Sequence, residues 1–356
     1  MELKYKDNKV LYSYNNYYKI LPCLHIEYAR NKLLTEIHKD IKNKFPEFKQ
    51  SIYDILIQKQ NKKHDPILDF VEESDTNSIQ IAKYINNKIE KAIEEISKLK
   101  YRDEKVNKKI SNEIILIYKD SQIKIPNRIY KRIKNSILDN SFEYFCNFDS
   151  LLWMIYSRYI KMQLYNNSQG ATTEKHYKQL QKTFGSEIEG FGSIFNHTLP
   201  YYFGLFPDLE QFFGCLGNFF NSKINKGFYL VNPPFTISAI NNTINHILRQ
   251  LNNAKEELTF LLVIPAWDNL DRAKLNEKCI SKLQINNYEE NLELEKCKNS
   301  KYLRNYYLYC KEKYEYYNFL LDKTSYFSAT NLILLSNTNK EYNIENIFGK
   351  PSIIVQ

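Results

Sequence analysis

Gly227-Phe228-Tyr229-Leu230-Val231-Asn232-Pro233-Pro234-Phe235 is the stretch whose reading decides the fold. The apolar run up to Val231, with its aromatic and β-branched residues, predicts a buried strand. Pro233 and Pro234 cannot continue that strand, because each lacks an N–H and holds φ fixed. The strand therefore stops at Asn232 in a stiff turn. In open α/β sheets the carboxyl ends of strands are where ligands bind.

The turn also carries a chemistry. An adenine 6-amino group is a poor nucleophile, because its lone pair is delocalised into the ring. It reacts with a methyl donor only when the amine is held and the lone pair is pushed out of the plane. The Asn232 side-chain oxygen and the Pro233 carbonyl can each accept one amine hydrogen. The fixed φ of Pro233 holds its carbonyl in place, and Pro234 stiffens the turn further. Phe235 offers a ring on which a base can stack. Such a site works by positioning and hydrogen bonding, without a general base. The competing reading of Asn232, Pro233, Pro234 and Phe235 is a proline-ended loop after a strand.

The surroundings decide between the two. Upstream lies Phe184-Gly185-Ser186-Glu187-Ile188-Glu189-Gly190-Phe191-Gly192-Ser193-Ile194-Phe195-Asn196. Phe206-Pro207-Asp208 and Phe212-Phe213-Gly214 follow, and Ile264-Pro265-Ala266-Trp267 comes after the Asn-Pro-Pro-Phe turn. This ordered series, over roughly residues 150–336, resembles the cap-specific adenosine N6-methyltransferases, also called phosphorylated-CTD-interacting factors. The chain departs from that family's pattern at Ile194-Phe195, where a Pro-Leu type pair is expected.

The resemblance implies an α/β fold, a Rossmann-like class I S-adenosylmethionine methyltransferase sheet with an N-terminal, mainly helical domain. It implies N6-methylation of adenosine in RNA, at the 2′-O-methyladenosine beside a 7-methylguanosine cap, with the cap held between the two domains. S-adenosylmethionine is the implied cofactor and capped mRNA the implied partner. Internal RNA or DNA adenine suits the same turn. A non-catalytic RNA-binding protein on a methyltransferase-like fold is a third reading, which the intact Asn232–Phe235 turn disfavours. A WW module needs two tryptophans in a short span, and Trp153 and Trp267 are the only two. The expectation is therefore a chain lacking that module, with no WW-mediated contact to a polymerase tail.

The cofactor candidates follow from the order of the motifs. Gly190, Phe191, Gly192, Ser193 and Asn196 form a small-residue turn after the first strand, and the bland alternative is ordinary turn punctuation. Glu187 or Glu189 would hold the amino group of the methionine part. Asp208 would take the ribose hydroxyls or the adenine amine, Phe213 would stack on that adenine, and Gly214 would allow close approach. No Walker-type lysine loop is present.

Length suits two domains, read as a helical, basic accessory domain over residues 1–140 and a methyltransferase domain over 141–356. No apolar run approaches the roughly 20 residues of a membrane span. The net charge of +9 suits a polyanionic partner, but on charge alone ordinary solvation of a lysine-rich surface is the preferred reading. The six cysteines show no CxxC pair, so no metal site is expected, and their scatter fits a reduced, intracellular compartment, nuclear or cytoplasmic.

Periodicity predicts helices over 24–44 and 78–99, the second from Ile81, Ile85, Ile89, Ile93 and Ile96. A hairpin is expected from strands at 113–118 and 122–125, then a helix after Pro126 capped by Asn127, and another near Leu152 capped by Asp149 or Ser150. Arg128 and Arg132 lie on a basic helix side that could bind phosphates, or simply be solvated. Residues 173–182 and 237–251 read as helices, and 259–264, 330–336 and 353–355 as strands. Trp267 could stack on a base or sit in a core. The tyrosine-rich segment 269–317 reads as an insertion over the substrate. The histidines carry no catalytic pattern, and His197 reads as structural.

Overall fold

The computed structural model describes residues 23–46, 67–68, 79–144, 146–162, 164–165, 169–266, 293–326 and 329–354. They fall into two compact units, one holding the described residues up to Tyr165 plus Leu205–Gly214, the other Asn166–Gly204 and Cys215–Gln356. The division by compactness therefore lies near residue 165 instead of 140, and a ten-residue segment returns to the first unit. Such a return leaves no composition shift at a single boundary.

In the first unit, α1 (Leu24–Lys44) and α2 (Ile79–Ser97) form because apolar residues recur at helical spacing. On α2, Ile81, Ala82, Ile85, Ile89, Ala92 and Ile96 are buried. Strands β1 (Asn107–Ile110), β2 (Glu113–Tyr118) and β3 (Ser121–Pro126) make an antiparallel sheet in that order. Helix α3 (Asn127–Asn135) follows, and α4 (Phe148–Lys161) carries Trp153 into the core, edge-on to Tyr118. The expected caps shift. Pro126 holds the N-cap of α3, and Asn127 instead donates to the Asn112 carbonyl (3.0 Å). Asn147 caps α4 by accepting from Ser150 N (2.8 Å), in place of Asp149 or Ser150.

A buried ion cluster fastens this unit. Arg158 on α4 is 1% exposed. Its guanidinium donates to both Glu27 oxygens (3.1 and 2.7 Å) and to both Asp208 oxygens (2.8 and 2.9 Å). Arg30 adds a 2.5 Å contact to Glu27, and the Arg158 group lies 5.0 Å from the Phe206 ring. Asp208 sits on the short helix Pro207–Glu210, and Tyr159 donates to Glu210 (2.7 Å) on the same helix. Four charges out of water are tolerable only because each is paired and hydrogen-bonded.

The second unit is built on a seven-stranded sheet. Its strands are β5 (Ile188–Glu189), β6 (Tyr201–Tyr202), β7 (Gly227–Val231), β8 (Leu258–Pro265), β9 (Leu303–Tyr309), β12 (Thr330–Ser336) and β13 (Ile353–Ile354). The order is β13-β9-β12-β8-β7-β5-β6. Strands β6, β5, β7 and β8 run parallel, β12 is antiparallel to both β8 and β9, and β13 is antiparallel to β9. The fold is thus mixed α/β with a mixed central sheet. Every residue of β8 and β12 is buried, as befits central strands covered on both faces. Tyr177 and Leu180 of α5 (Glu174–Phe184) pack with Leu230, Leu261, Val263, Leu332 and Leu334. Helix α6 (Ile237–Asn253) packs on β8 and buries Ile240, Ile244, Ile247 and Leu251. A second, three-stranded sheet in this unit has the order β11-β10-β4, from β4 (Gly170–Thr172), β10 (Tyr316–Asn318) and β11 (Lys323–Ser325).

Two expectations change here. The described part of 269–317 is not an insertion, since β9 lies inside the central sheet between β12 and β13. Its alternating tyrosines (Tyr307 and Tyr309 on one face, Tyr306 on the other) are buried, which aromatic strand residues favour. Second, Cys310 is disulfide-bonded while Cys23, Cys146, Cys215 and Cys297 are free. Among the described residues no helix is long and apolar enough to cross a membrane.

Arg158→Met should cost about 3–5 kcal/mol in urea unfolding, because Asp208 would be left as an uncompensated buried charge and Glu27 would keep Arg30 but lose Arg158. A loss under 1 kcal/mol would show that the cluster is not the fastening. A pH effect follows from His246 on α6, 2% exposed, whose imidazole is pushed down to about 3 by burial and by Arg249. Its unfolded value is near 6.5, so the unfolded chain binds the extra proton between there and about 3. Stability should therefore fall as pH drops through that window, by about 1.4 kcal/mol per unit from this group. His246→Phe should flatten that slope in acid titrations of unfolding.

Candidate active site

Strand β7 ends at Val231, and Asn232 follows in a half-buried position. The Asn232 Oδ1 is shielded from solvent and has no hydrogen-bond partner among the described residues. A buried acceptor left without a donor costs about 1–3 kcal/mol, so an orphan of this kind in a strand-end turn points to a donor that arrives with a ligand. Pro233 is buried and Pro234 exposed. The Pro234 carbonyl accepts from Thr236 N (2.8 Å), and Thr236 caps α6 by accepting from Ala239 N (3.3 Å). The turn is thereby clamped between a strand end and a helix start. Phe235 is half-buried, packs against the core, and meets Tyr316 edge-on at 5.8 Å.

The glycine loop lies beside this turn. Glu189 of β5 pairs with Leu230 of β7, and Gly190 N donates to the Leu230 carbonyl (2.8 Å). Gly190 therefore lies alongside Val231, the residue before Asn232, while Gly192 N donates to the Phe203 carbonyl (2.8 Å). A Cβ on Gly190 would come within 2.7 Å of Val231 Cγ2 and 3.0 Å of its Cα. A Cβ on Gly192 would lie 2.9 Å from that of Tyr202. Both glycines are demanded by the close approach of neighbouring strands. Phe191 and Gly192 form the part-exposed crest of the loop.

Beyond the crest the loop is tied down. Asn196 Oδ1 accepts from Ser193 N (2.8 Å), and Ser193 Oγ donates to Gln169 Oε1 (2.6 Å). Ile194 and Phe195 are fully buried, so the pair that departs from the family pattern plugs the loop into the core. Glu189 is also fully buried, and its Oε1 accepts from Leu199 N (2.6 Å) and from Thr198 N. The Tyr177 hydroxyl also bonds Glu189, and burial, then Glu189, push its pKa well above the ordinary tyrosine value. Glu189 is thus an anchor of the loop. Glu187 is exposed and precedes β5, on the amino side of the strand. His197 stacks on Tyr202 (4.6 Å), and its Nδ1 lies 3.0 Å from the Leu199 carbonyl.

The other predicted residues fall elsewhere. Asp208, Phe213 and Gly214 group with the helical unit. Both Asp208 oxygens are taken by Arg158, Phe213 is fully buried, and Gly214 closes a turn at φ 88°. Arg128 is exposed and Arg132 half-buried on α3, with Lys131 and Lys134 exposed nearby. Trp267 lies outside the described residues. Sequence reasoning missed Gln169, which lies in the short polar run Ser168-Gln169-Gly170, and Tyr316, one of 29 tyrosines.

The fold and the site define a mixed α/β protein whose parallel strands end, on one edge, in a glycine turn and in Asn-Pro-Pro-Phe, a sheet compatible with a methyltransferase. The chain belongs to the family described as "Phosphorylated CTD interacting factor 1 WW domain", whose model matches residues 127–305. That description carries a WW domain, and the expectation of a chain without one is at odds with it. A human mRNA (2'-O-methyladenosine-N(6)-)-methyltransferase is 27% identical over 167 residues, 44% of this chain and 23% of the human protein. The mouse protein of the same name is 26% identical over the same shares. The match thus spans about a quarter of each relative's length.

Gly190→Ala should destabilise the chain by about 1–3 kcal/mol, as overpacking does, since the clash includes the Val231 backbone. Thermal unfolding would show it, and an unchanged midpoint would mean that β5 and β7 can part without cost.

Proposed function

We propose that the chain is an S-adenosylmethionine-dependent methyltransferase acting on N6 of adenosine in RNA, at the cap-adjacent 2′-O-methyladenosine of mRNA. The observation that carries this reading is the orphaned, buried Asn232 Oδ1 in an Asn-Pro-Pro-Phe turn. It needs a donor, and an amine N–H supplies one. Asn232 Oδ1 and the Pro233 carbonyl would accept the two amine hydrogens and turn the nitrogen lone pair outward. Phe235 would hold the base by its face. The proton released on alkylation would pass to solvent, since no base is placed in the turn.

A Rossmann-like class I sheet is supported by the parallel run β6-β5-β7-β8 with both ligand turns at strand carboxyl ends. The part-exposed crest at Phe191 and Gly192, beside the Asn232 turn, fits S-adenosylmethionine, which would supply the methyl group from its sulfonium. Ser193 and Asn196 would keep the crest in shape. A nucleic-acid partner is supported by where the charge sits. Residues 100–134 hold eleven lysines and arginines against four carboxylates, seven of the nine surplus positive charges. Arg128 and Arg132 belong to that stretch.

The test is methyl transfer from labelled S-adenosylmethionine to two short RNAs, one with a cap and 2′-O-methyladenosine, one with a bare triphosphate and the same adenosine. A strong preference for the first is expected. Equal rates would favour a general adenine methyltransferase, and no transfer to either would sink the reading. Asn232→Ala should abolish transfer while keeping cofactor affinity, and Phe235→Ala should weaken RNA binding by roughly 1–3 kcal/mol.

A further inference from the structure

The small sheet β4-β10-β11 touches both halves of the candidate site. Gln169, the residue before β4, is 3% exposed, and its Oε1 takes the Ser193 hydroxyl at 2.6 Å. That hydroxyl lies in the loop that carries the Phe191–Gly192 crest. On the neighbouring strand, Tyr316 is 1% exposed and sets its ring edge-on to Phe235 at 5.8 Å and 80°. The two strands are in register, with Tyr316 opposite Thr172 and Asn318 opposite Gly170.

The sheet is itself fixed to the central one. The Tyr316 hydroxyl and Thr330 Oγ1 are 2.9 Å apart, and Thr330 is the partner of Pro265 at the end of β8. The Tyr314 hydroxyl bonds Thr172 Oγ1 (2.9 Å), and Asn318 Oδ1 accepts from Leu320 N and Leu321 N (3.1 Å each). The Tyr316–Thr330, Tyr314–Thr172 and Asn318–Leu320 contacts are buried, and the Asn318–Leu321 contact is part-buried. A rigid frame therefore runs from the loop through two short strands to the aromatic ring of the turn.

We propose that this sheet is the positioning frame of the site, with Gln169 setting the cofactor loop through Ser193 and Tyr316 setting the Phe235 ring for the base. Neither residue touches a reacting atom. Gln169 acts on cofactor affinity, and Tyr316 acts on substrate affinity. The separation follows from geometry: one residue holds the loop after β5, the other the turn after β7. This proposal rests on the functional reading above.

The test uses the full-length chain and S-adenosylhomocysteine as the probe in calorimetry, with KM and kcat for adenosine RNA as a second readout. Gln169→Leu is expected to weaken the probe about tenfold, the weight of one buried hydrogen bond. Ser193→Ala should weaken it at least as much, since Ser193 Oγ also meets Asn196 Oδ1 (2.9 Å) and accepts from Phe195 N (3.2 Å), and the double variant should lose no more than Ser193→Ala alone, because the Gln169 bond is already gone there. Tyr316→Leu should raise the RNA KM several-fold and leave probe affinity unchanged, and Tyr316→Phe, which keeps the ring against Phe235 but loses the bond to Thr330, should recover most of the KM. Unchanged probe affinity in Gln169→Leu, or additive losses in the double variant, would overturn the proposal alone. So would equal losses of both ligands in Tyr316→Leu, which mark general loosening. A wild-type chain that binds no S-adenosylhomocysteine would overturn the functional reading and this proposal with it.

Discussion

Gly190 lies so close to Val231 that a single added carbon would fall 2.7 Å from a side-chain methyl and 3.0 Å from the backbone. That approach is what lets β5 run parallel to β7 in the register that pairs Glu189 with Leu230. From the register follows the placement of everything else on this edge. The glycine crest emerges next to the strand whose end is Asn232, and both turns face the same way because both strands point the same way. Two very short strand pairings could not hold this alone. Glu189 supplies the rest by taking the Thr198 and Leu199 amides into the core, so that the loop closes on a buried carboxylate.

The helical unit rests on a similar economy of buried charge. Arg158 draws in carboxylates from α1 and from the short helix Pro207–Glu210, segments far apart in the chain. Replacing such a cluster by apolar packing is often neutral, but removing one member is not. The cluster also explains the fate of Asp208. A motif order that suggests a ribose carboxylate cannot show that an arginine 50 residues earlier claims both its oxygens. Phe213 and Gly214 follow it into the same unit, one as core and one as the glycine a left-handed turn requires.

Much of the local structure was legible. The helix Leu24–Lys44 and the strands Glu113–Tyr118 and Thr330–Ser336 coincide with their expected limits, because apolar spacing alone sets them. The strand before Asn232 is equally plain, since prolines stop it. Legibility failed where the cause is non-local. β9 looked like a tyrosine-rich insertion because its partners β12 and β13 come later in the chain. The cap of α4 fell to Asn147 because the helix starts a residue or two earlier than its apolar residues suggested.

By itself, then, the sequence determined the alternation of helices and strands, the turn Asn232–Phe235 and its hydrogen-bonding capacity, and the basic character of residues 100–134. These depend on side-chain type and short spacing, which are present in the chain before it folds. Tertiary structure alone decided which of the predicted residues meet. It left the Asn232 oxygen buried without a partner among the described residues, and it made Glu189 an anchor and Asp208 an ion-pair member. It also brought Gln169 and Tyr316 to the loop and the turn. The reason is physical: burial and pairing belong to the space between segments, and that space exists only once distant strands have found their register.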